Sequence, residues 1–392
     1  MIEIMRVLRG IAPVAGLSFV HLVDDMYQGA VPALIPFLVA ERQYTYAAAT
    51  GITVAATFLS SVLQPLFGVL TDRRRLAFLV PSGVAIAGIG IGLSGLGPHY
   101  VFTWLAIALS GIGVAAFHPE ASRAARVASH GSARGMSWFA LGGNIGFALG
   151  PLLVTAVLTG GGLTATPLLA IPAVATGLVV ALLQRRSRDA VAKKTTETGR
   201  EDDWSSFRWL TGLVMCRSIC FFGVNSLLAL FLTKNLGFTE STGNAALTVL
   251  LATGAAGTLL GGGLADRYGR VRTVRLGYLL IVPGLLALLF APNAVVACLA
   301  AALLGFALYI PFSVQVTLGQ DYLPNRIGTA SGVTLGLAVS VGGIVTPVFG
   351  LLADHAGLST ALAVLLVFPV AALAISTRLP DTKPQVLSTT AS

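Results

Sequence analysis

Gly262-Gly-Leu-Ala-Asp-Arg-Tyr-Gly-Arg270 is a glycine-rich stretch that turns abruptly basic, and 194 positions earlier Gly68-Val-Leu-Thr-Asp-Arg73 repeats its Gly, Leu, Asp and Arg. The same offset sets Gly111 on Gly305 and Gly142 on Gly336. One such pair carries little weight, but a single offset held across several segments implies a duplicated unit. If each copy holds six spans, the two share one orientation and are related by an axis along the membrane normal.

Each copy lies among apolar runs. Of 392 residues, 55% are hydrophobic and 10% charged, too apolar for one water-soluble core. A helix needs about 20 apolar residues to cross a hydrocarbon layer of about 30 Å. Runs of that length recur at 11–38, 47–70, 76–97, 100–122, 133–158, 163–184, 208–232, 244–265, 273–291, 294–319, 327–353 and 358–378. The expectation is an all-α membrane protein of twelve transmembrane helices in two pseudo-symmetric six-helix bundles. The runs are too long for barrel strands of about 10 alternating residues. Residues 1–184 and 207–379 are the expected bundles, 185–206 a polar cytoplasmic linker and 380–392 a cytoplasmic tail.

The formal charge of +9 does not point to nucleic acid, because of where it falls. With the N-terminus inside, 22 of the 25 Lys and Arg residues lie on the cytoplasmic side. Only Arg42 and Lys234 lie outside, and Arg217 sits within a span. By the positive-inside rule both termini are cytoplasmic in a plasma (inner) membrane protein. Arg6 and Arg9 before an apolar stretch look like a secretory signal, but His21, Asp24 and Asp25 interrupt that stretch and no small-residue cleavage site follows. Cys216, Cys220 and Cys298 fall in spans and define neither a disulfide framework nor a metal-ligand spacing.

Gly262 to Arg270 resembles the loop signature of the major facilitator superfamily, and Gly68 to Arg73 its first-half copy; Arg75 stands where that copy usually has Gly. Gly146 to Pro151 is similar to the Gly-x-x-x-Gly-Pro element in the fifth helix of antiporter members. His21-Leu-Val-Asp-Asp25, Leu63-Gln-Pro65 and Phe117-His-Pro-Glu-Ala-Ser-Arg123 resemble the fosmidomycin-resistance type of that superfamily. The resemblance implies export of a small drug-like molecule driven by the proton gradient. It also implies that Asp72 and Asp266 dock on neighbouring helix N-termini as cytoplasmic latches. Arg73, Arg267, Arg270 and Arg123 join that gate, although the positive-inside rule alone accounts for the first three.

Charges inside a bilayer cost about 2.5–3.5 kcal/mol each on insertion scales, which makes each one a functional candidate. In the first span His21, Asp24, Asp25 and Gln28 recur at three and four residues and share a face. At 1.5 Å per residue they fall near the membrane midplane. Asp24 or Asp25 is read as binding a proton from the periplasm and releasing it inside, with His21 and Glu120 as relay candidates; a permanent pairing that only stabilises the bundle stays open. Arg217 corresponds to Val23 in the offset, which the pseudo-symmetry sets opposite Asp24 and which suits an anionic group on a solute. Gln28, His118, Asn225 and Asn144 complete the expected solute contacts. Gly142, Gly146 and Gly150, and again Gly328, Gly332 and Gly336, each form a small-residue groove.

The His-Pro-Glu string at 118–120 lacks metalloprotease spacing, no further ligands surround it in the sequence, and neither metal nor cofactor is expected. No phosphate loop, Gly-x-Ser-x-Gly or His-Glu-x-x-His occurs, so an enzyme is not expected. The partners expected are a small-molecule substrate, protons and the lipid bilayer, with the chain acting as a monomer. Uptake of an organic anion by proton symport is the rival reading, and a transporter-like sensor a third.

Overall fold

The computed structural model describes residues 2–44, 46–187, 200–238 and 240–382. Linker residues 188–199 and the tail beyond Thr382 therefore lie outside the described residues, as do the side chains of Arg6 and Arg9. The helices are α1 (Ile2–Arg42), α2 (Tyr46–Arg73), α3 (Leu79–Leu93), α4 (Tyr100–Ala128), α5 (Ala133–Gly161), α6 (Ile171–Ser187), α7 (Trp204–Lys234), α8 (Glu240–Tyr268), α9 (Arg270–Leu289), α10 (Ala294–Tyr322), α11 (Ile327–Ala356), α12 (Leu358–Val364) and α13 (Val367–Ser376). Among the described residues, eight helical stretches are individually long and apolar enough to cross a membrane.

Two expected spans are subdivided, each beside a proline. The sixth begins as a 3₁₀ segment, Gly162–Ala170, containing Pro167. Where it passes into α6, the Tyr27 hydroxyl donates to the Leu169 carbonyl (2.7 Å) and accepts from the Ala173 amide (3.1 Å). The twelfth breaks between α12 and α13, because Pro369 has no N–H for the Leu365 carbonyl. Phe368 donates there at i+3 instead.

The chain forms two compact units. The first comprises Met1–Ala128, Trp138–Glu201 and Pro324–Gly336; the second comprises Ser129–Ser137, Asp202–Leu323 and Leu337–Ser392. Each sequence half thus lends the other unit the first turns of one helix. In the first unit α4 packs on α2 and α3, and in the second α10 packs on α8 and α9. The duplication extends to single contacts. A Cβ on Gly111 would strike the Ala56 carbonyl, and one on Gly305 the Leu250 carbonyl, both partners being related by the same offset.

The two glycine trios permit close helix pairs within the first unit. Gly142, Gly146 and Gly150 of α5 face the carbonyls of Ser18, Leu22 and Met26 on α1. Gly328, Gly332 and Gly336 of α11 face those of Gly68, Gln64 and Ser61 on α2. A methyl at any of the six would collide with backbone, which does not yield as a flexible side chain does. The loops after α2 and α8 differ. Gly269, φ +102°, enters a backbone region that disfavours side chains. Its offset partner is Arg75, which is not among the residues of positive φ, so the first copy makes its turn by another path.

Candidate functional site

The polar residues of α1 meet one residue of α4. His21 and Asp25, one helical turn apart, approach at 3.2 Å (Nε2 to Oδ2). His118 brings its Nε2 to 3.3 Å from His21 Nε2 and 3.3 Å from Asp25 Oδ1. Gln28, a further turn along α1, donates to Asp25 Oδ1 at 2.9 Å. Helix α5 closes over them: the Phe139 ring stacks on His21 with centroids 4.2 Å apart. Close to it is Gly143, where a Cβ would lie 2.6 Å from His21 Nε2. The clustering of ligand-type side chains around His118 corrects the expectation that it stands alone. His21 lies 97 residues away in sequence, and spacing within one helix cannot report a partner on another.

The hydrogen bonds fix the imidazoles. His21 Nδ1 lies 2.8 Å from the Phe139 carbonyl and His118 Nδ1 2.9 Å from the Val114 carbonyl. A carbonyl only accepts, so each Nδ1 carries the hydrogen and, in the neutral ring, each Nε2 is a bare lone pair. Two such nitrogens and a carboxylate then point at one another, three acceptors with no donor among them. One hydrogen shared among these atoms would relieve the contact between them. Asp25, its side chain 15% exposed, is the most accessible of the three; both histidine side chains are 6% exposed.

Asp24 is adjacent in sequence but separate in space. It is fully buried, and neither carboxylate oxygen has a hydrogen-bond partner among the described residues. His118 Nδ1 approaches to 3.7 Å, beyond hydrogen-bond range. The two aspartates therefore flank His118 on its two nitrogens.

Glu120 stands apart from the cluster and accepts from Arg123 (2.7 Å), whose Nη1 donates to the Thr71 carbonyl (3.0 Å). Asn144 is half-buried on α5. In the second unit Arg217 is 3% exposed, its guanidinium 4.7 Å from the Phe312 ring centroid. Among the described residues its Nε has no hydrogen-bond partner, nor does Asn225 Oδ1 on the same helix.

Asp72 accepts from the amides of Gly328 and Thr329 (2.7 Å each) and the Thr329 hydroxyl (2.6 Å), at the start of α11. Asp266 accepts from the amides of Ala133 (2.9 Å) and Arg134 (3.0 Å) and the Ser132 hydroxyl (2.7 Å), at the start of α5. Each carboxylate satisfies orphan donors at a helix N-terminus contributed by the other sequence half. Arg270 is fully buried, paired with Asp321 and donating to the Gly131 carbonyl (2.7 Å). Arg267 lies over the Tyr268 ring, and Arg73 is exposed. Sequence reading missed Asp321, Phe139 and Gly143. It also missed Asp381, which accepts from the Arg270 amide at 2.9 Å and so caps α9. None carries a spacing signal, because each acts on a distant segment.

The family described as Major Facilitator Superfamily matches residues 17–347. The Fosmidomycin resistance protein of Escherichia coli (strain K12) is 30% identical over 378 residues, covering 94% of this chain and 92% of its own length. The uncharacterized MFS-type transporter YfnC of Bacillus subtilis (strain 168) is 30% identical over 367 residues, 90% of this chain and 89% of its own. Among solved structures, the Major Facilitator Superfamily transporter FucP in its outward conformation superposes with a TM-score of 0.77 at 17% identity. That match covers 95% of this chain and all of that one.

Proposed function

The chain belongs to the Major Facilitator Superfamily, a multi-pass membrane transporter of small molecules, and from that premise we propose that it is a proton-coupled antiporter. In this reading it exports a small drug-like solute, a phosphonate or another anion, by alternating access. It works as a monomer in the plasma (inner) membrane with both termini in the cytoplasm, and residues 1–184 and 207–379 act as its two bundles. The 30% identity to a fosmidomycin resistance protein supports the solute class.

The observation that carries the coupling is the convergence of His21, His118 and Asp25. The two Nε2 atoms 3.3 Å apart, each 3.2–3.3 Å from one oxygen of the same carboxylate, favour a proton shared among them. A proton reaching Asp25 from the periplasm is shared with an Nε2 of either histidine, and the buried charge of the cluster falls. With its buried charge reduced, α1 then permits the empty carrier to turn, and loss of the proton to the cytoplasm resets it. Asp24, buried beside His118 without a hydrogen bond, supplies a second negative charge that holds the proton. Arg217 receives the anionic part of the solute, with Asn225, Gln28 and Asn144 as polar contacts. Asp72 and Asp266 clasp the cytoplasmic ends, with Arg123, Arg267, Arg270 and Arg73 beside them, and open as the carrier turns.

Everted vesicles loaded with an inside-acid gradient provide the test. Antiport predicts accumulation of a labelled phosphonate antibiotic; symport into the cell predicts its loss from the lumen. Asp25→Asn and Asp24→Asn are expected to lower gradient-driven accumulation at least tenfold. Accumulation unchanged in both variants would remove the coupling role, and no movement of any solute under any gradient would favour a sensor.

A further inference from the structure

The ligand-capable atoms of the α1–α4 cluster are spaced as a metal ion spaces its donors. A tetrahedral zinc ion with bonds of about 2.0–2.1 Å holds its donor atoms about 3.3–3.4 Å apart. His21 Nε2 and His118 Nε2 are 3.3 Å apart; Asp25 meets the first through Oδ2 at 3.2 Å and the second through Oδ1 at 3.3 Å, and with one ligand atom taken from each residue all lie within 4.8 Å of one another. Both rings donate Nδ1–H to main-chain carbonyls, at 2.8 and 2.9 Å. That outer hydrogen bond characteristically orients a ligating histidine and sets its Nε2 lone pair toward the ion. Gln28 steadies the carboxylate in the same way. Two imidazoles and a carboxylate suit zinc and its late first-row neighbours, and three protein ligands leave one coordination place open.

One observation calls for the ion's charge and another for its room. Asp24 is fully buried with both oxygens unpartnered, 3.7 Å from His118 Nδ1. Two aspartates balance one divalent cation, so the filled site is neutral inside the bilayer, where net charge is costly. Close to the same atoms, Gly143 supplies the space: a Cβ there would press on both His21 Nε2 and the Asp25 carboxylate.

We propose that His21, His118 and Asp25 bind one divalent ion of the zinc class, with Asp24 as its charge balance and Gly143 as the gap that admits it. The bound ion ties α1 to α4 and leaves its fourth place open to water or an anion. The ion would compete with the coupling proton of the antiport reading for these same atoms, yet its binding can be measured whether or not protons drive transport.

The test uses the full-length chain without a histidine tag, purified in detergent. Zinc is titrated by calorimetry, and cobalt by its visible absorption as a geometric probe. One ion per chain is expected, with the intense bands of tetrahedral cobalt displaced by zinc. His118→Gln, His21→Gln and Asp25→Asn each weaken binding at least about tenfold. Gly143→Ala weakens it while keeping every ligand. The remaining histidines, His99, His130 and His355, serve as the control, and their joint replacement by glutamine leaves binding intact. Three results overturn the proposal: no stoichiometric binding in the wild type, only the pale bands of octahedral cobalt, or binding lost in the triple control and kept in His118→Gln. Should a ligand variant fail to fold, the wild-type spectrum and Gly143→Ala still decide. Failure of proton-driven transport in vesicles leaves this measurement untouched.

Discussion

The buried polar centre of the first unit and that of the second carry opposite chemistry at related positions. Around His21, Asp25 and His118, acceptors crowd together with no Lys or Arg in ion-pair range among the described residues. Around Arg217, the offset partner of Val23, one fixed cation lies against Phe312 with no carboxylate of its own unit in ion-pair range among the described residues. The clasps behave otherwise. Asp72 and Asp266 sit at the same offset, and each accepts two amides and a hydroxyl at a helix start. Duplication has kept the parts that hold helix ends and let the buried polar centres diverge. A pseudo-symmetric scaffold can thus bear one electronegative and one electropositive centre, which a strict copy could not.

Breaking the second centre should have the largest effect. Arg217→Gln is expected to raise KM for an anionic solute at least tenfold, about 1.4 kcal/mol, with kcat changed less. Arg217→Lys is expected to recover only part of it, because an ammonium lacks the planar fork of donors. Transport kinetics in reconstituted liposomes check this, and an unchanged KM in Arg217→Gln would deny the residue its solute contact.

The clasps come next. Asp72→Ala and Asp266→Ala should each lower stability by about 0.5–2 kcal/mol, the range for losing a helix cap. Thermal unfolding in detergent reads both, and equal losses would uphold the clasps as working copies. Losses differing by more than about 1 kcal/mol would show that the copies have diverged too.

The smallest effect lies where the repeat fails outright, since Asp203 is offset from Arg9. Asp203 caps α7 by accepting from the Ser206 amide (2.9 Å) and hydroxyl (2.6 Å). Partial burial acts to raise its carboxyl, but the donors on Ser206 and Ser205 prevail and hold it below the ordinary value. A carboxyl lowered on folding stabilises fully above the unfolded value near 3.8, and that stability is lost as pH falls on through the lower folded value. Asp203→Ala should therefore cost about 1 kcal/mol or less at neutral pH. The gap from wild type should close in acid, as melting curves at stepped pH would reveal.

Much of the architecture was legible in the sequence because lipid writes plainly: apolar runs of spanning length and one repeated offset lead to the fold. The centres were legible only along a single helix. His21, Asp25 and Gln28 share a face of α1 by spacing, yet His118 joins them from α4, and no periodicity relates the two. Adjacent numbering also misled, since Asp24 and Asp25 take opposite nitrogens of His118. The subdivided sixth and twelfth spans followed from Pro167 and Pro369, whose missing amides a hydropathy average does not register.

The lending of first turns between the sequence halves has a consequence for a divided chain. The start of α5 is finished by Asp266, and the start of α11 by Asp72. A polypeptide cut at the linker yields fragments that each expose raw amides where the missing fragment's acid belongs. Neither fragment alone carries the carboxylate that finishes one of its own helix starts, so the two need each other to satisfy those amides.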